Sequence, residues 1–389
     1  MNILFFTLLL FIVYTYIIYP LIIIFLSNTR IEREPASRET FQPYVSIVIA
    51  AKDEENNIQS RLMNLVNQTY PADKYEILIV SDGSVDNTNQ YVLDYIKVLS
   101  DSIDIHPSIR LITLDKNSGK PTAINKGISC SGGDIVVFSD ARQQFDNDAI
   151  EQLVSNFTDP RVGAVSGELF FRESLDSNVQ MQMGLYWKYE KAIRRSEAIV
   201  SSVIGATGAI YAIRKELFEP INADTLLDDV LIPMSIVLKG YRVVFDDKAR
   251  AYDIVSKSST QEWRRKVRTL AGNWQLINLM PSLYSPFMNP VFIQFVSHKV
   301  FRTVIPFCLP IVFIMSFMLD GWFYELLALV QIVTYGAVLI AHYIESLRDN
   351  KLIGFAYFFI VMNLAAITGF WIWITGRCDS IWKPAYKEK

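Results

Sequence analysis

Residues 75–88 read Tyr75-Glu76-Ile77-Leu78-Ile79-Val80-Ser81-Asp82-Gly83-Ser84-Val85-Asp86-Asn87-Thr88. The first six form a strand-like run, and a serine, a carboxylate, a glycine and small polar residues follow at once. A buried parallel strand that ends this way makes the kind of edge where open α/β sheets hold nucleotides. Working outward, residues 45–50 (Val-Ser-Ile-Val-Ile-Ala) read as an earlier strand. Residues 54–68 read as its following helix, with Ile58, Leu62, Leu65 and Val66 on one face. Residues 109–114 and 134–139 supply a third and a fourth strand. Strands that alternate with helices predict the α/β class, with a mostly parallel, doubly wound sheet.

The flanks of this region have a different texture. Residues 3–26 are almost uninterruptedly apolar, enough for one membrane crossing, so residues 1–27 are read as an N-terminal transmembrane helix. Only Met1 and Asn2 precede the run, whereas a secretory signal would place basic residues there. Arg30, Arg33 and Arg38 follow it instead, which orients the next domain toward the cytoplasm. Residues 28–43 are the expected linker and 44–280 the α/β domain. Residues 281–302, aromatic, punctuated by proline and closed by Lys299 and Arg302, suggest interfacial helix. Residues 303–376 hold three near-spanning runs, and 377–389 form a basic tail. Three crossings after a cytoplasmic domain place that tail outside, unless the last run re-enters, and the sequence leaves both open.

Composition excludes several classes of function. Hydrophobic residues make up 51% of the 389, too many for a purely soluble enzyme of this size. The 37 Lys and Arg nearly balance 40 Asp and Glu, so no overall basic field recruits nucleic acid. Cys130, Cys308 and Cys378 are scattered without zinc-like spacing, and His106, His298 and His342 do not cluster. A histidine-based metal centre and a Ser-His-Asp triad are therefore not expected.

Carboxylates recur at the carboxyl ends of the expected strands. Asp53, with Glu54 and Glu55, follows the first, Asp82 the second and Asp140 the fourth. Such groups can accept from a base or a ribose hydroxyl, or bind a divalent ion that bridges phosphates. Glu54 and Glu55 serve equally well as acids at a helix N-terminus. Residues 119–127 (Gly-Lys-Pro-Thr-Ala-Ile-Asn-Lys-Gly) set Lys120 on a tight loop before a helix, a device for a diphosphate or a base edge. They lack the spacing of a P-loop. Asp228 and Asp229 are adjacent acids, which should repel and raise one pKa toward neutrality; they also suit the first turn of a helix.

These motifs occur in one order: Lys-Asp-Glu-Glu at 52–55, Ser-Asp-Gly-Ser-Val-Asp at 81–86, Gly-Lys-Pro-Thr-Ala-Ile-Asn at 119–125 and Ser-Asp-Ala-Arg at 139–142. Gly-Ala-Thr-Gly-Ala at 205–209, Asp228-Asp229 and Gln261-Glu262-Trp263-Arg264-Arg265 follow. The chain resembles membrane-embedded glycosyltransferases of family 2, the group that includes cellulose, chitin, hyaluronan and poly-N-acetylglucosamine synthases. The resemblance implies a GT-A fold and inverting transfer from a nucleoside diphosphate sugar, most often UDP-linked, to a glycan or lipid acceptor. It implies that Asp53 and Asp82 hold the nucleoside and that Lys120 helps bind the nucleotide. It makes Asp229, beside Asp228, the base that deprotonates the acceptor. Asp140 takes the first position of the family's Asp-x-Asp motif, which implies a divalent cation (Mg2+ or Mn2+) there. Gly208 implies close approach to the acceptor, and Gln261, Trp263, Arg264 and Arg265 imply diphosphate and acceptor contacts.

Two departures stand out. Arg142 occupies the second Asp-x-Asp position, which weakens metal dependence, pairs a guanidinium with phosphate, or leaves the ion to Asp140 and other ligands. Arg265 stands where processive synthases of this group carry tryptophan, so Trp263 or Trp274 becomes the candidate stacking platform. The alternatives are a single transfer to a membrane lipid, or a degenerate subunit that scaffolds an export complex.

Overall fold

The computed structural model describes residues 1–30, 41–101, 105–172, 177–254 and 259–376, so most of the expected linker and all of the basic tail lie outside the described residues. Its eight strands are β1 (Val45–Ala51), β2 (Tyr75–Asp82), β3 (Ser108–Leu114), β4 (Ile135–Asp140), β5 (Gln144–Phe145), β6 (Val162–Arg172), β7 (Tyr211–Arg214) and β8 (Arg242–Ile254). They form one sheet in the order β3-β2-β1-β4-β7-β6-β8-β5. The four strands expected from sequence are β1 to β4, and every pairing among them is parallel. Beyond β4 the sheet is mixed: β7 is antiparallel to both β4 and β6, while β6 and β8 are parallel.

Strand burial explains why the first half was legible. β1 and β2 are buried along their whole length, which demands apolar residues on both faces. Val48, Ala50, Leu78 and Val80 enter one core. Val45, Ile47, Ile49, Ile77 and Ile79 enter the opposite one, as the alternation of strand side chains requires. On the first face the helix Lys120–Cys130 lies so close that a Cβ on Gly127 would stand 2.5 Å from Val48 Cγ1. The glycine at the end of the Gly-Lys-Pro motif is therefore a packing residue that seats this helix on the sheet.

Register places the strand-end carboxylates. Ala50 of β1 is opposite Val80 on one side and Asp140 on the other. Asp82 and Asp140 thus flank β1 at a shared sheet edge rather than stand side by side. The helix after β1 is Ile58–Val66, shorter than expected. Asp53 takes a left-handed conformation (φ 53°), and the turn that follows bonds to the neighbouring loop instead of starting a helix.

Among the described residues four helices are long and apolar enough to cross a membrane: Asn2–Asn28, Phe292–Met318, Trp322–Tyr343 and Lys351–Ile374. The expected interfacial stretch divides into two parts. Pro281–Tyr284 is a short 3-10 turn, and the helix that begins at Phe292 continues through residue 302 into the span. Its polar residues are accommodated by the α/β domain: Arg302 donates to Glu190 (2.8 Å), and His298 bridges Glu190 and Glu197 at 2.8 Å each. Both glutamates lie on the long helix Ser177–Val200. Tyr19 of the N-terminal helix also donates to Glu197 (2.6 Å), so two membrane helices are pinned to one helix of the domain. A second helix, Ser259–Leu279, lies against the last span, where a Cβ on Gly369 would stand 2.8 Å from the Ala271 nitrogen.

Candidate active site

The site begins at the end of β2. Asp82 is fully buried, and its two carboxylate oxygens accept from the backbone N–H of Ser118 (2.7 Å) and of Gly119 (2.8 Å). Gly119, at φ 93°, is the N-cap of the helix Lys120–Cys130. Asp82 therefore fixes the loop that presents Lys120, and both of its oxygens are engaged by the chain. Asp53 has a related role. Its Oδ1 accepts from Val85 N–H (2.9 Å), and its own N–H donates to Ser84 Oγ (3.1 Å). Glu54 and Glu55 extend the lattice: Glu54 N–H donates to Thr88 Oγ1 (2.8 Å), and the Glu55 carboxylate accepts from Asn87 N–H (3.1 Å). The Glu54 backbone and the Glu55 carboxylate thus brace two loops against each other.

Lys120 is the centre of the charge cluster. Its ammonium lies 2.8 Å from Asp140 Oδ1 and 3.5 Å from Asp228 Oδ2. Burial pulls its pKa down, but Asp140, Asp228 and Asp229 together carry it above the ordinary lysine range. Burial likewise pushes the Asp140 carboxyl up, and Lys120, Arg142 and Arg265 more than reverse this, so that its pKa falls below the usual carboxylate value. An ammonium held permanently charged against carboxylates is suited to meet a diphosphate.

Asp228 and Asp229 open the helix Asp228–Leu238. Asp229 is half-buried, and among the described residues its carboxylate makes no hydrogen bond to the chain. Burial, then Asp228, raise its pKa to about 6 against the pull of Lys120 and Lys299. Gly208 faces it: a Cβ there would stand 2.9 Å from Asp229 Oδ2. The glycine turn is tied to the same helix, because Ala206 N–H donates to the Asp229 carbonyl (2.7 Å).

Two further side chains, neither expected at the site, bear on this wall. Arg194, from the helix Ser177–Val200, donates to Thr207 Oγ1 and to Ser166 Oγ, both at 2.9 Å. Thr207 N–H in turn donates to Ser166 Oγ (2.9 Å), so Arg194 secures the turn that abuts Asp229. The charge of Lys299, on the span Phe292–Met318, draws the Asp229 pKa down. Arg194 is hidden in an ordinary Arg-Arg pair and Lys299 beside His298 in a largely apolar helix; only the fold relates either to the site.

The remaining expected residues divide. Arg142 is committed to Asp253 on β8, with Nη2 2.6 Å from Oδ2, and Gln143 donates to the same oxygen (3.0 Å). Of the cluster on the helix Ser259–Leu279, Arg265 is exposed and its charge reaches Asp140. Arg264 is exposed one residue earlier, Trp263 is half-buried, and the Gln261 side chain lies outside the described residues. Trp274 is no free platform: it stacks on Trp373 (5.9 Å between centroids, 21°) and meets Phe370 edge-on at 5.0 Å. Among the described residues no three His, Cys, Asp or Glu side chains gather as a metal cage. Asp140, one third exposed, matches instead the way Mg2+ is usually held, by one or two carboxylates completed by substrate phosphates and water.

Known proteins resemble this chain in sequence and in fold. The sequence signature described as "Glycosyl transferase family 2" matches residues 46–221, and that described as "Glycosyl transferase family group 2" matches residues 135–374. The chain belongs to glycosyl transferase family 2. It is 27% identical over 237 residues to a poly-beta-1,6-N-acetyl-D-glucosamine synthase of Staphylococcus aureus (strain MSSA476), and 24% identical over 237 residues to the synthase of that name from Staphylococcus epidermidis. Each match covers 60% of this chain and only 55% of the relative. The fold of this family 2 chain is also that of a solved mannosyltransferase, PcManGT from Pyrobaculum calidifontis, in complex with GDP-Man and Mn2+. The TM-score is 0.74 at 19% identity, over 96% of this chain and 99% of that one. The architecture is thus the GT-A fold with membrane helices that the resemblance implied.

Proposed function

We propose that this family 2 chain is an inverting glycosyltransferase that moves a sugar from a nucleoside diphosphate donor, UDP-linked, to a hydroxyl of a glycan or lipid acceptor at the membrane. The observation that carries the proposal is Asp229, a carboxylate with a pKa near 6 and no hydrogen bond among the described residues. It lies on the helix whose preceding residue, Asp228, pairs with Lys120. A base needs this combination: an accessible oxygen, a pKa near working pH, and charge for the leaving group close by.

In this reading Asp229 takes the proton of the acceptor hydroxyl. The acceptor oxygen bonds to the anomeric carbon on the face opposite the diphosphate, and the bond from that carbon to the diphosphate oxygen breaks. Lys120 and Arg265 meet the negative charge that develops on the departing nucleoside diphosphate. Asp82 orients the Lys120 loop, and Asp53 braces the wall of the nucleoside pocket. Asp140, with phosphate oxygens of the donor, would hold a divalent cation, which when bound would neutralise diphosphate charge. Gly208 leaves room for the acceptor beside the base. Arg30, just beyond the first span, donates to the Val200 carbonyl (2.6 Å), and this basic flank supports a cytoplasmic α/β domain.

The intact Asp82, Lys120, Asp140 and Asp229 set speaks against a degenerate scaffold. Nucleotide release by the detergent-purified chain, from a panel of UDP-sugars with and without Mg2+ or Mn2+, tests the proposal. Release from one donor that disappears in Asp229→Asn is the expected result. Silence across the panel with membrane lipids supplied, or release unchanged by Asp229→Asn, would overturn it.

A further inference from the structure

The helix that carries Asp228 and Asp229 begins without a cap of its own. Its N-cap is Leu227, a side chain with no acceptor to offer, and no side chain caps the first turn. That turn starts from the Leu227 carbonyl, which accepts from the N–H of Val230 (3.3 Å) and of Leu231 (2.9 Å). Whatever fixes residues 224–227 therefore fixes where the two acids stand. The support comes from another element, the helix Ser259–Leu279. Its Gln275 is 9% exposed, and the side-chain amide takes both kinds of backbone group from the segment. Nε2 donates to the Asp224 carbonyl (2.8 Å), and Oε1 accepts from Leu226 N–H (3.0 Å). One turn earlier on the same helix, Gly272 abuts the N-cap itself: a Cβ there would stand 2.5 Å from Leu227 Cγ and 3.1 Å from Leu226 Cβ.

The supporting helix is itself wedged. A Cβ on Gly369 of the helix Lys351–Ile374 would meet the Ala271 nitrogen at 2.8 Å and the Val267 carbonyl oxygen at 3.1 Å. Ala271 and Gly272 are adjacent, so the apolar helix and the 224–227 segment grip Ser259–Leu279 at one turn. Close backbone contact of this kind leaves the helix little room to shift. We propose that Gln275, with Gly272 as its packing partner, is a positioning residue for the transfer: it holds the 224–227 segment so that Asp229 keeps its place beside Gly208, and Asp228 its place beside Lys120. Gln275 acts through the segment, not on the substrate. The inference rests on the transferase reading and adds to it that the base is set by the helix Ser259–Leu279 and not by the sheet alone.

The test is the pH dependence of nucleotide release by the full detergent-purified chain, for the wild type, Gln275→Met and Gly272→Ala, with UDP binding and melting temperature measured on each. Gln275→Met keeps the length of the side chain and loses both hydrogen bonds, whereas Gly272→Ala keeps them and pushes on Leu227. Asn289→Leu is the control, because its buried amide makes the same two kinds of bond elsewhere, donating to the Leu283 carbonyl (2.8 Å) and accepting from Val291 N–H (3.0 Å). The expected result is a fall of about tenfold in the plateau rate of both test variants, with UDP affinity retained. The midpoint of the rate profile, near 6 in the wild type, should move down in both, since a loosened first turn lets water reach a carboxylate that burial now favours in its protonated form. Asn289→Leu should lower the melting temperature and leave the midpoint in place. A midpoint unmoved in Gln275→Met, or in Gly272→Ala where Gln275→Met fails to bind UDP, would reduce Gln275 to a stabilising contact and overturn the inference. An equal shift in Asn289→Leu would overturn it as well. Wild-type release that survives Asp229→Asn would instead sink the reading of Asp229 as the base, on which this one stands.

Discussion

The Lys120 ammonium lies 2.8 Å from Asp140 Oδ1, and so the strand-end carboxylate that would hold a metal is already neutralised by the chain. The same ammonium is 3.5 Å from Asp228. Donor charge and acceptor activation are therefore linked through one side chain, which is itself held by Asp82 through the Ser118–Gly119 backbone.

Lys120→Met removes that link and takes away the ammonium that both Asp140 and Asp228 meet. Turnover is expected to fall by about 100-fold or more, with weaker UDP binding in the same variant. Chelation of divalent ions should cost less, roughly tenfold, because Lys120 and Arg265 continue to meet the diphosphate. Steady-state nucleotide release and UDP titration check both.

Asp229 sets the pH dependence. A base with a pKa near 6 works when ionised, so the rate should rise with pH through about 6 and level off above it. The stability effect runs the other way. The native state binds this proton more tightly than the unfolded chain, so stability is lost as pH rises from the ordinary aspartate value of 3.8 to about 6. Asp229→Asn should abolish transfer and yet raise the melting temperature at pH 7.5, by up to about 3 kcal/mol of stability. At pH 4 the two melting temperatures should converge.

Gly208→Ala places a methyl where the Asp229 carboxylate now lies, 2.9 Å from Oδ2. The expected outcome is a fall of roughly 10- to 100-fold in turnover with UDP affinity retained, since the clash falls on the acceptor side. Calorimetric UDP binding beside a turnover assay separates the two.

Asp82→Ala leaves the buried Gly119 amide and the part-buried Ser118 amide without an acceptor and frees the Lys120 loop. A loss of about 2–4 kcal/mol of stability is expected, together with loss of UDP binding. Asp82→Asn keeps one acceptor oxygen and should fall between. Thermal melts in detergent, with and without UDP, order the three proteins.

Much of this was legible because the physics was local. Residues 45–50 and 75–80 are buried throughout and apolar except at Ser46 and Glu76, and the carboxylates that follow these strands face one edge whatever the rest of the chain does. β6, β7 and β8 escaped because β7 is four residues long and β8 runs through polar residues such as Asp246, Asp247 and Lys248 at its middle. Roles were harder to read than positions. Asp82 was expected to touch a nucleoside directly, and its proposed part is now to hold two amides of the Lys120 loop. Arg194 and Lys299 bear on the site from a helix and a span remote in sequence, and no spacing announces them. Arg142 was ambiguous until β8 brought Asp253 beside it.

The most direct test of the central claim is the anomeric configuration of the newly formed glycosidic bond, read by NMR coupling constants on the product from an α-linked UDP-sugar. Displacement assisted by Asp229 from the face opposite the diphosphate predicts a β-linked product that does not form with Asp229→Asn. An α-linked product, or a β-linked product made equally well without the Asp229 carboxylate, would contradict it.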